Sequence, residues 1–228
     1  MSKSFTFNGI NSLPYFVVTQ LPSIVKAENN IDKIVVPGRD GFLSEDTGGY
    51  KAVVKTAECT VLDLKNIDYI CDWLDGPGLV TFSNEPDKVY KAVIINQIEL
   101  DQVIRTFHSF IITFDCQPHK YAIDNDLITL TVSGTSIINP GTANSKPIIK
   151  IYGTGDIAIA VGTSPTIYLF DLTGDITMDS DMMDAFSGNK LLNNNMGGEF
   201  AELSPGTNTI SWMGTVSKIE ITPNWRYK

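Results

Sequence analysis

Side chains that could act as bases or metal ligands are few in this sequence, which has only two histidines among its 228 residues. His108 alternates with apolar residues along a predicted strand, so we expect a partly buried structural histidine. His119 follows in a predicted loop with no obvious catalytic partner. The chain lacks the motifs of serine hydrolases, zinc peptidases and nucleotide-binding loops. We therefore predict no catalytic residues, no metal and no cofactor.

The cysteines also give no indication of catalysis or metal binding. Cys59, Cys71 and Cys116 have no CxxC spacing and cannot pair without leaving one over. Each lies in an apolar pattern, which is typical of small buried hydrophobes rather than of reactive or metal-binding thiols. We expect all three to be buried and reduced.

An acidic stretch is the last candidate for a metal-binding or catalytic site. Asp175, Asp179, Asp181 and Asp184 lie close together in the sequence, but they lack the ligand order and the glycine of an EF-hand calcium loop. A solvated acidic turn is the favoured interpretation. A glycosidase or cell-wall hydrolase that uses Asp179, Asp181 or Asp184 stays open, because such enzymes depend on the separation of two carboxylates in space.

Composition and charge limit the classes of protein to which this chain can belong. Hydrophobic residues make up 43% and charged residues 19%, as in packed globular proteins. The formal net charge is −9 and the pI is near 4.6, which opposes binding to nucleic-acid phosphates and to anionic lipid. No apolar run is long enough to span a membrane, and the first residues do not resemble a signal peptide. We expect a globular protein that stays in the cytoplasm, or leaves it by another route.

The apolar pattern predicts a mainly β protein, because most segments alternate between apolar and polar residues and are separated by Gly, Pro, Asn and Asp. The pattern breaks over residues 117–146, and we place a domain boundary near residue 133. Residues 1–133 are expected to form an α+β domain, and residues 134–228 an antiparallel β-sandwich. The glycines of residues 37–41 predict a tight turn rather than a phosphate-binding loop.

One segment departs from the strand pattern. Residues 65–75 have apolar residues at helical spacing and are followed by glycine and proline, which predicts one short amphipathic helix. On a helical wheel, Tyr69 and Trp73 fall opposite the apolar stripe. Two interpretations stay open: the helix is sandwiched within its domain, or the two aromatic residues belong to an oligomer interface. The stripe consists of Ile67, Ile70, Cys71 and Leu74.

Several stretches, taken in order along the chain, resemble the distal tail (Dit) protein family of long non-contractile-tailed bacteriophages and prophages. Each motif alone is a generic turn or strand, and the resemblance rests on their combination over nearly the whole chain. The N-terminal stretches are Ser4-Phe5-Thr6-Phe7-Asn8-Gly9, Val36-Pro37-Gly38-Arg39-Asp40-Gly41-Phe42, Trp73-Leu74-Asp75-Gly76-Pro77-Gly78, residues 90–92 and residues 110–121. The C-terminal stretches are residues 139–141, 146–153, 200–208 and 219–226.

The resemblance implies an N-terminal ring-forming domain and a C-terminal galectin-like β-sandwich. It implies a non-enzymatic hexameric ring at the virion tail tip, single or stacked, that leaves a channel for DNA. Such a ring joins the major tail tube protein to the tail-associated hub or lysin protein, and often to receptor-binding proteins. Synthesis and assembly would take place in the cytoplasm of the bacterial host. Tyr69, Trp73, Arg39 and Asp40 are then expected at the interface between copies.

A carbohydrate-binding module for attachment to the host surface is the alternative function. Trp212, Trp225 and Tyr168 lie in the predicted sandwich and could stack on sugar rings, although such aromatic residues more often pack in a core or at a sheet edge. A galectin-like fold does not establish sugar binding, and no cluster in the sequence resembles the galectin sugar site. At 228 residues the chain has room for two core domains and not for an inserted receptor-binding module.

Overall fold

The computed structural model of the chain describes residues 2–61, 64–96, 101–104 and 107–228. These residues form mainly β-strands, with one α-helix among them. The predicted mainly β architecture is therefore confirmed.

The chain divides into two compact units, Met1–Lys120 with Lys228 and Tyr121–Tyr227. This division lies earlier than the boundary that we placed near residue 133. The physical reason is strand pairing: Ile128–Leu130 pairs with the long C-terminal strand Gly206–Thr222 of the second unit. Residues 121–133 therefore belong to the second unit.

The first unit is built on an antiparallel sheet in which the strands follow the order β2-β1-β7-β8-β10-β6-β3, and β9 pairs with β10. The strands β4 and β5 pair with each other as a separate two-stranded sheet. The bounds are β1 (Phe5–Phe7), β2 (Ile10–Asn11), β3 (Val17–Gln20), β4 (Asn29–Ile34), β5 (Leu43–Tyr50), β6 (Val53–Val61), β7 (Gly76–Phe82), β8 (Lys88–Ile94), β9 (Asp101–Ile104) and β10 (Phe107–Ala122).

The predicted helix is present as α1 (Ile67–Trp73), preceded by a 3-10 turn over Leu64–Asn66. A helix of seven residues has too few internal hydrogen bonds to be stable alone, so packing against the sheet must stabilise it. The chain leaves the helix through Gly76, whose φ of 69° lies in the left-handed region that glycine adopts at little cost.

Aromatic side chains form much of the core of the first unit. The Phe5 ring lies with its centroid 5.4 Å from that of Phe114, 5.8 Å from Phe16 and 6.0 Å from Trp73. These rings come from β1, β10, the loop before β3 and α1, so one cluster fixes the helix on the sheet. On β10, His108 is half-buried beside a face of buried residues, as the alternation predicted.

The hairpin of β4 and β5 has no such core. Its two strands pair in antiparallel register, with Ile34 opposite Leu43. The turn predicted over residues 37–41 lies between them and is confirmed. Every residue from 31 to 49 is exposed, although several are large and apolar.

The second unit is an antiparallel, curled sheet in which the strands follow the order β11-β18-β13-β14-β15-β16, with β12 on β18 and β17 on β14. Its long strands change register at bulges, for example between Gly155 and Ile157, and its core is mostly aliphatic. The bounds are β11 (Ile128–Leu130), β12 (Thr135–Asn139), β13 (Ile148–Val161), β14 (Ile167–Asp179), β15 (Asp184–Ser187), β16 (Lys190–Leu191), β17 (Met196–Gly197), β18 (Gly206–Thr222) and β19 (Arg226–Tyr227).

The expectation of three buried cysteines is correct for two. Burial raises the pKa of both the Cys59 and the Cys116 thiol to about 12, which keeps them protonated and unreactive. Cys71 is exposed instead. The reason is that α1 turns Ile70 and Trp73 toward the core, and Cys71 lies on another side of this short helix.

A charged cluster is buried beside the aromatic core. Lys55 donates to the backbone oxygen of Ser23 over 3.0 Å, and Glu85 accepts hydrogen bonds from Lys120 and Tyr90. Burial lowers the pKa of Lys55. Burial alone would raise the pKa of Glu85, but the hydrogen bonds from Lys120 and Tyr90 outweigh it, so the pKa of this carboxyl lies below its usual value.

Replacing Glu85 by Gln should destabilise the first unit by about 3 kcal/mol, because a buried ion pair that loses one partner leaves the other charge uncompensated. Amide hydrogen exchange of β6 and β10 in the full chain measures this loss for the unit concerned. The matched variant Glu58→Gln, on the exposed face of β6, should change stability by less than about 0.5 kcal/mol. Equal effects of the two variants would contradict a structural role for the buried cluster.

The same substitution should weaken the dependence of stability on acid pH. Because the pKa of Glu85 is lower in the folded unit, its ionised form contributes fully above the ordinary carboxyl range, and this contribution is lost as the pH falls through the lowered pKa. Amide hydrogen exchange measured from neutral to acid pH should show that stability falls more steeply for the wild type than for Glu85→Gln. Parallel curves would contradict the assignment.

Candidate functional site

The helix α1 carries the first two residues expected at an interface, and the structure separates them. Trp73 is only 7% exposed. Its indole Nε1 donates to the backbone oxygen of Phe7 over 3.0 Å, and its ring lies against Phe5, Phe16 and Tyr15. The helical-wheel placement of Trp73 away from the buried side is therefore wrong. For this residue, the structure favours the interpretation of internal packing.

Tyr69 is 45% exposed and stays available to a partner. Its ring centroid lies 5.3 Å from that of Tyr15, and a hydrogen bond with Tyr15 raises the pKa of the Tyr69 hydroxyl. The exposed carboxylates of Asp68 and Asp72 flank it on the helix. The helix thus presents one aromatic ring in an acidic surrounding.

Arg39 and Asp40 lie at the tip of the β4–β5 hairpin, where both are exposed. The backbone N–H of Arg39 donates to the backbone oxygen of Val36 over 3.2 Å and closes the turn. The four expected interface residues are therefore divided between two elements, the hairpin tip and α1. Whether these elements meet on neighbouring copies stays a prediction.

The apolar side chains of the hairpin were missed at the sequence level. Val35 is 74% exposed, and Ile34 and Phe42 are exposed beside it. The Lys33 ammonium lies 4.8 Å from the centroid of the Phe42 ring. Ile34, Val35 and Val36 form a short apolar run, which ordinarily indicates a buried strand. Here the structure exposes the run to solvent, and exposed apolar patches often mark interaction sites.

The sheet of the first unit also exposes apolar side chains on its outer face. Leu79 on β7, Val93 on β8 and Ile111 on β10 are exposed large hydrophobics from neighbouring strands of the sheet order. Asn96 donates from its side-chain amide to the backbone oxygen of Ile111 over 2.9 Å. Among the described residues, the first unit therefore exposes apolar side chains on the hairpin and on this outer face, as well as at Leu13, Val17, Ile24 and Val25.

The acidic stretch of the second unit is a structured turn. The Asp179 carboxylate accepts the backbone N–H groups of Asp181 and Met182 at 2.9 and 3.0 Å, and Asp184 accepts from the Asn193 amide at 3.0 Å. Asp175 lies 3.4 Å from the Lys150 ammonium. These carboxylates hold a turn and balance a lysine, which agrees with the favoured interpretation.

The aromatic residues considered for sugar stacking differ in exposure. Trp225 is buried and belongs to the core of the second unit. Trp212 is half-buried and packs against that core. Tyr168 alone is exposed. The three residues therefore do not present the aromatic platform that the alternative function would use.

Within the described part of the chain, no three His, Cys, Asp or Glu side chains come close enough to bind a metal ion together. Likewise, no described helix combines the length and the apolar character needed to cross a membrane.

Comparison with known proteins gives one informative result. No protein-family profile matches the chain, and no curated protein is significantly similar to it. Among solved structures, the chain is similar to the Dit (gp 19.1) protein of SPP1, described as a paradigm of the hub adsorption apparatus in phages that infect Gram-positive bacteria. The match covers 97% of this chain and 98% of that protein, with a TM-score of 0.77 and 17% sequence identity. The expected Dit-like fold is therefore confirmed.

The two aromatic residues of α1 should behave differently when truncated. Trp73→Ala should destabilise the first unit by about 3–5 kcal/mol, since it removes a buried ring from a packed core. Tyr69→Ala should cost less than about 1 kcal/mol, because the ring is largely in solvent. Amide hydrogen exchange of β1 and β10, measured at increasing temperature, compares the stability of the two variants. A larger loss for Tyr69→Ala would contradict the described packing of the helix.

Proposed function

We propose that the chain is a structural, non-enzymatic protein of a bacteriophage tail tip and that it forms a hexameric ring through its first unit. The observation that carries this proposal is the fold shared with the SPP1 Dit protein over 97% of the chain. The shared fold includes both units, so the proposal concerns the whole described chain and not one domain alone.

The hairpin supplies the main physical argument for assembly. A two-stranded hairpin is marginally stable at best in water, and this one exposes Val35, Ile34 and Phe42. Burial of each such side chain is worth about 1.5–3 kcal/mol. A neighbouring copy that covers the hairpin would gain this free energy and order the hairpin at the same time.

The apolar outer face of the first sheet is the proposed receptor for the hairpin of the next copy. It exposes Leu79, Val93 and Ile111, and it is a different surface from the hairpin. A contact between two different surfaces is heterologous. Repeated around one axis with a rotation of one sixth of a turn, as we propose here, such a contact closes into a ring, whereas a rotation that does not close gives a filament. The exposed Tyr69, Arg39 and Asp40 are proposed to flank this contact.

Charge is compatible with a ring through which DNA passes. Each copy has a formal net charge of −9, and six copies would carry six times that charge. Acidic walls repel phosphate groups and would let DNA move without being bound. The proposed partners are the major tail tube protein on one side of the ring and the tail-associated hub or lysin protein on the other, with a receptor-binding protein at the periphery.

The native mass of the purified chain tests the ring. Light scattering or native mass spectrometry should give about six times the 25.0 kDa of one copy. The double variant Val35→Ser with Phe42→Ser should shift the mass to that of a monomer, because it removes apolar area from each contact. Its first unit should stay folded, since both residues are exposed in the single chain.

A matched control separates the hairpin from general surface hydrophobicity. Leu191→Ser removes an exposed apolar side chain from β16 of the second unit and should leave the ring intact. A wild-type monomer at all concentrations, or a ring that survives the hairpin variant, would contradict the proposal.

A further inference from the structure

The first unit contains a buried lysine whose hydrogen-bond partner lies in the segment that leads into the β4–β5 hairpin. Lys55, on β6, is 3% exposed, and its ammonium donates to the backbone oxygen of Ser23 over 3.0 Å. Lysine is almost never fully buried in folded proteins unless it is paired. A methionine would fill a similar space without the cost of burying an ammonium group. The bond to Ser23 is therefore a property that an apolar side chain at this position would not supply.

The surroundings of the Lys55 ammonium are rigid. It lies 4.6 Å from the centroid of the Tyr90 ring and 5.8 Å from that of Phe82, and Glu85 attracts it as well. Glu85 already has a cationic partner in Lys120, so Lys55 is not needed to balance this carboxylate. Because its donor is held by packed rings, Lys55 provides a fixed point on the body of the first unit.

The segment between β3 and β4, residues 21–28, is tied to this body at two consecutive carbonyl groups. Lys55 holds the oxygen of Ser23, and the side-chain amide of Asn84 donates to the oxygen of Pro22 over 2.9 Å. Pro22 and Ala27 are buried, whereas residues 23–26 between them are exposed. Hydrogen bonds therefore fix the course of a segment that buries little of its own side-chain surface.

The direction of the hairpin is determined at its base, because every residue from 31 to 49 is exposed. The backbone N–H of Lys51 donates to the oxygen of Glu28 over 2.8 Å and joins the two strand ends to each other. Tyr50 attaches the returning strand to the body, with its ring centroid 5.4 Å from that of His119. Lys55 and Asn84 attach the entering strand. A hairpin held on both strands has one direction, whereas a hairpin held on one strand can swing.

We propose that Lys55 is a positioning residue for assembly: through the oxygen of Ser23, it fixes the direction in which the hairpin leaves the first unit. This inference rests on the ring proposed above, in which the direction of the hairpin determines the rotation between one copy and the next. A heterologous contact closes into a ring of six only when that rotation is one sixth of a turn. A hairpin whose direction is fixed in advance also loses less conformational freedom when it binds.

The distance between the hairpin and α1 measures the direction of the hairpin in a single chain. Ser44→Cys places a thiol on the exposed strand β5, and Cys71 on α1 is exposed, whereas the other two cysteines are buried. Pulsed electron paramagnetic resonance of the doubly spin-labelled chain gives the distribution of this distance. The background Val35→Ser with Phe42→Ser keeps neighbouring copies apart. The distribution should be narrow with the native lysine and should broaden in Lys55→Met.

A matched lysine at the base of the same hairpin provides the control. Lys51→Met removes an ion pair with Glu28 in which both side chains are exposed, and such pairs contribute little. The distribution should therefore stay narrow in Lys51→Met. Asn84→Ala removes the neighbouring tie to Pro22 without touching the buried cluster, and it should broaden the distribution as Lys55→Met does. Because Asn84 is exposed, this variant keeps the test decisive if Lys55→Met does not fold.

The native mass links the direction of the hairpin to assembly. With the hairpin residues unchanged, Lys55→Met should raise the concentration at which half of the copies are assembled by about tenfold, because only a fraction of the hairpins then point in the binding direction. Amide hydrogen exchange of β6 and β10 should stay close to that of the wild type, since Glu85 keeps Lys120 as its partner. A lysine that only stabilises the core would instead lower this protection and leave the distance distribution narrow.

Two results would overturn the proposal: a distribution as narrow in Lys55→Met and Asn84→Ala as in Lys51→Met, or unchanged assembly of Lys55→Met despite a broadened distribution. A wild-type chain that stays monomeric would contradict the ring itself. The distance distributions separate this case, because they need no ring and decide by themselves whether Lys55 fixes the hairpin.

Discussion

The β4–β5 hairpin buries none of its residues from 31 to 49, so the core of the first unit does not stabilise this part of it. A two-stranded hairpin is marginally stable at best in water. Its exposed apolar side chains gain stability only when another surface covers them. The outer face of the first sheet offers such a surface, with exposed residues on neighbouring strands. In the proposed assembly, this constraint would link the fold of one chain to contact with further copies. Since the hairpin and the outer face are two different surfaces, their contact would be heterologous, as in a ring, and not isologous, as in a twofold dimer.

The core of the first unit determines which residues are left for assembly. Phe5, Phe114 and Trp73 form one aromatic cluster that fixes α1 against the sheet. The ion pair of Glu85 with Lys120 on β10 is largely buried in the same unit. Because Trp73 is part of this cluster, Tyr69 is the aromatic residue of the helix that a partner can reach. The second unit has its own core, which is mostly aliphatic.

Much of the fold could be predicted from sequence, because the spacing of apolar residues differs between a strand and a helix that each bury one face. The half-buried His108, the turn over residues 37–41 and the short helix were all predicted in this way. The helical wheel predicted the wrong side of α1 for Trp73 and Cys71. In a helix of seven residues, a small rotation decides which side chain faces the core. The hairpin could not be recognised as exposed, because an apolar run such as Ile34-Val35-Val36 looks the same in the sequence whether a core or a second copy covers it. The outer-face residues Leu79, Val93 and Ile111 lie on three different strands, and only the folded chain places them on one face.

The most direct test of ring assembly is electron microscopy of the purified full chain, with averaged views along the particle axis. The account predicts closed particles with sixfold symmetry and a central channel, in which the density of each hairpin lies on the next copy. Single chains, twofold dimers or open filaments would contradict it.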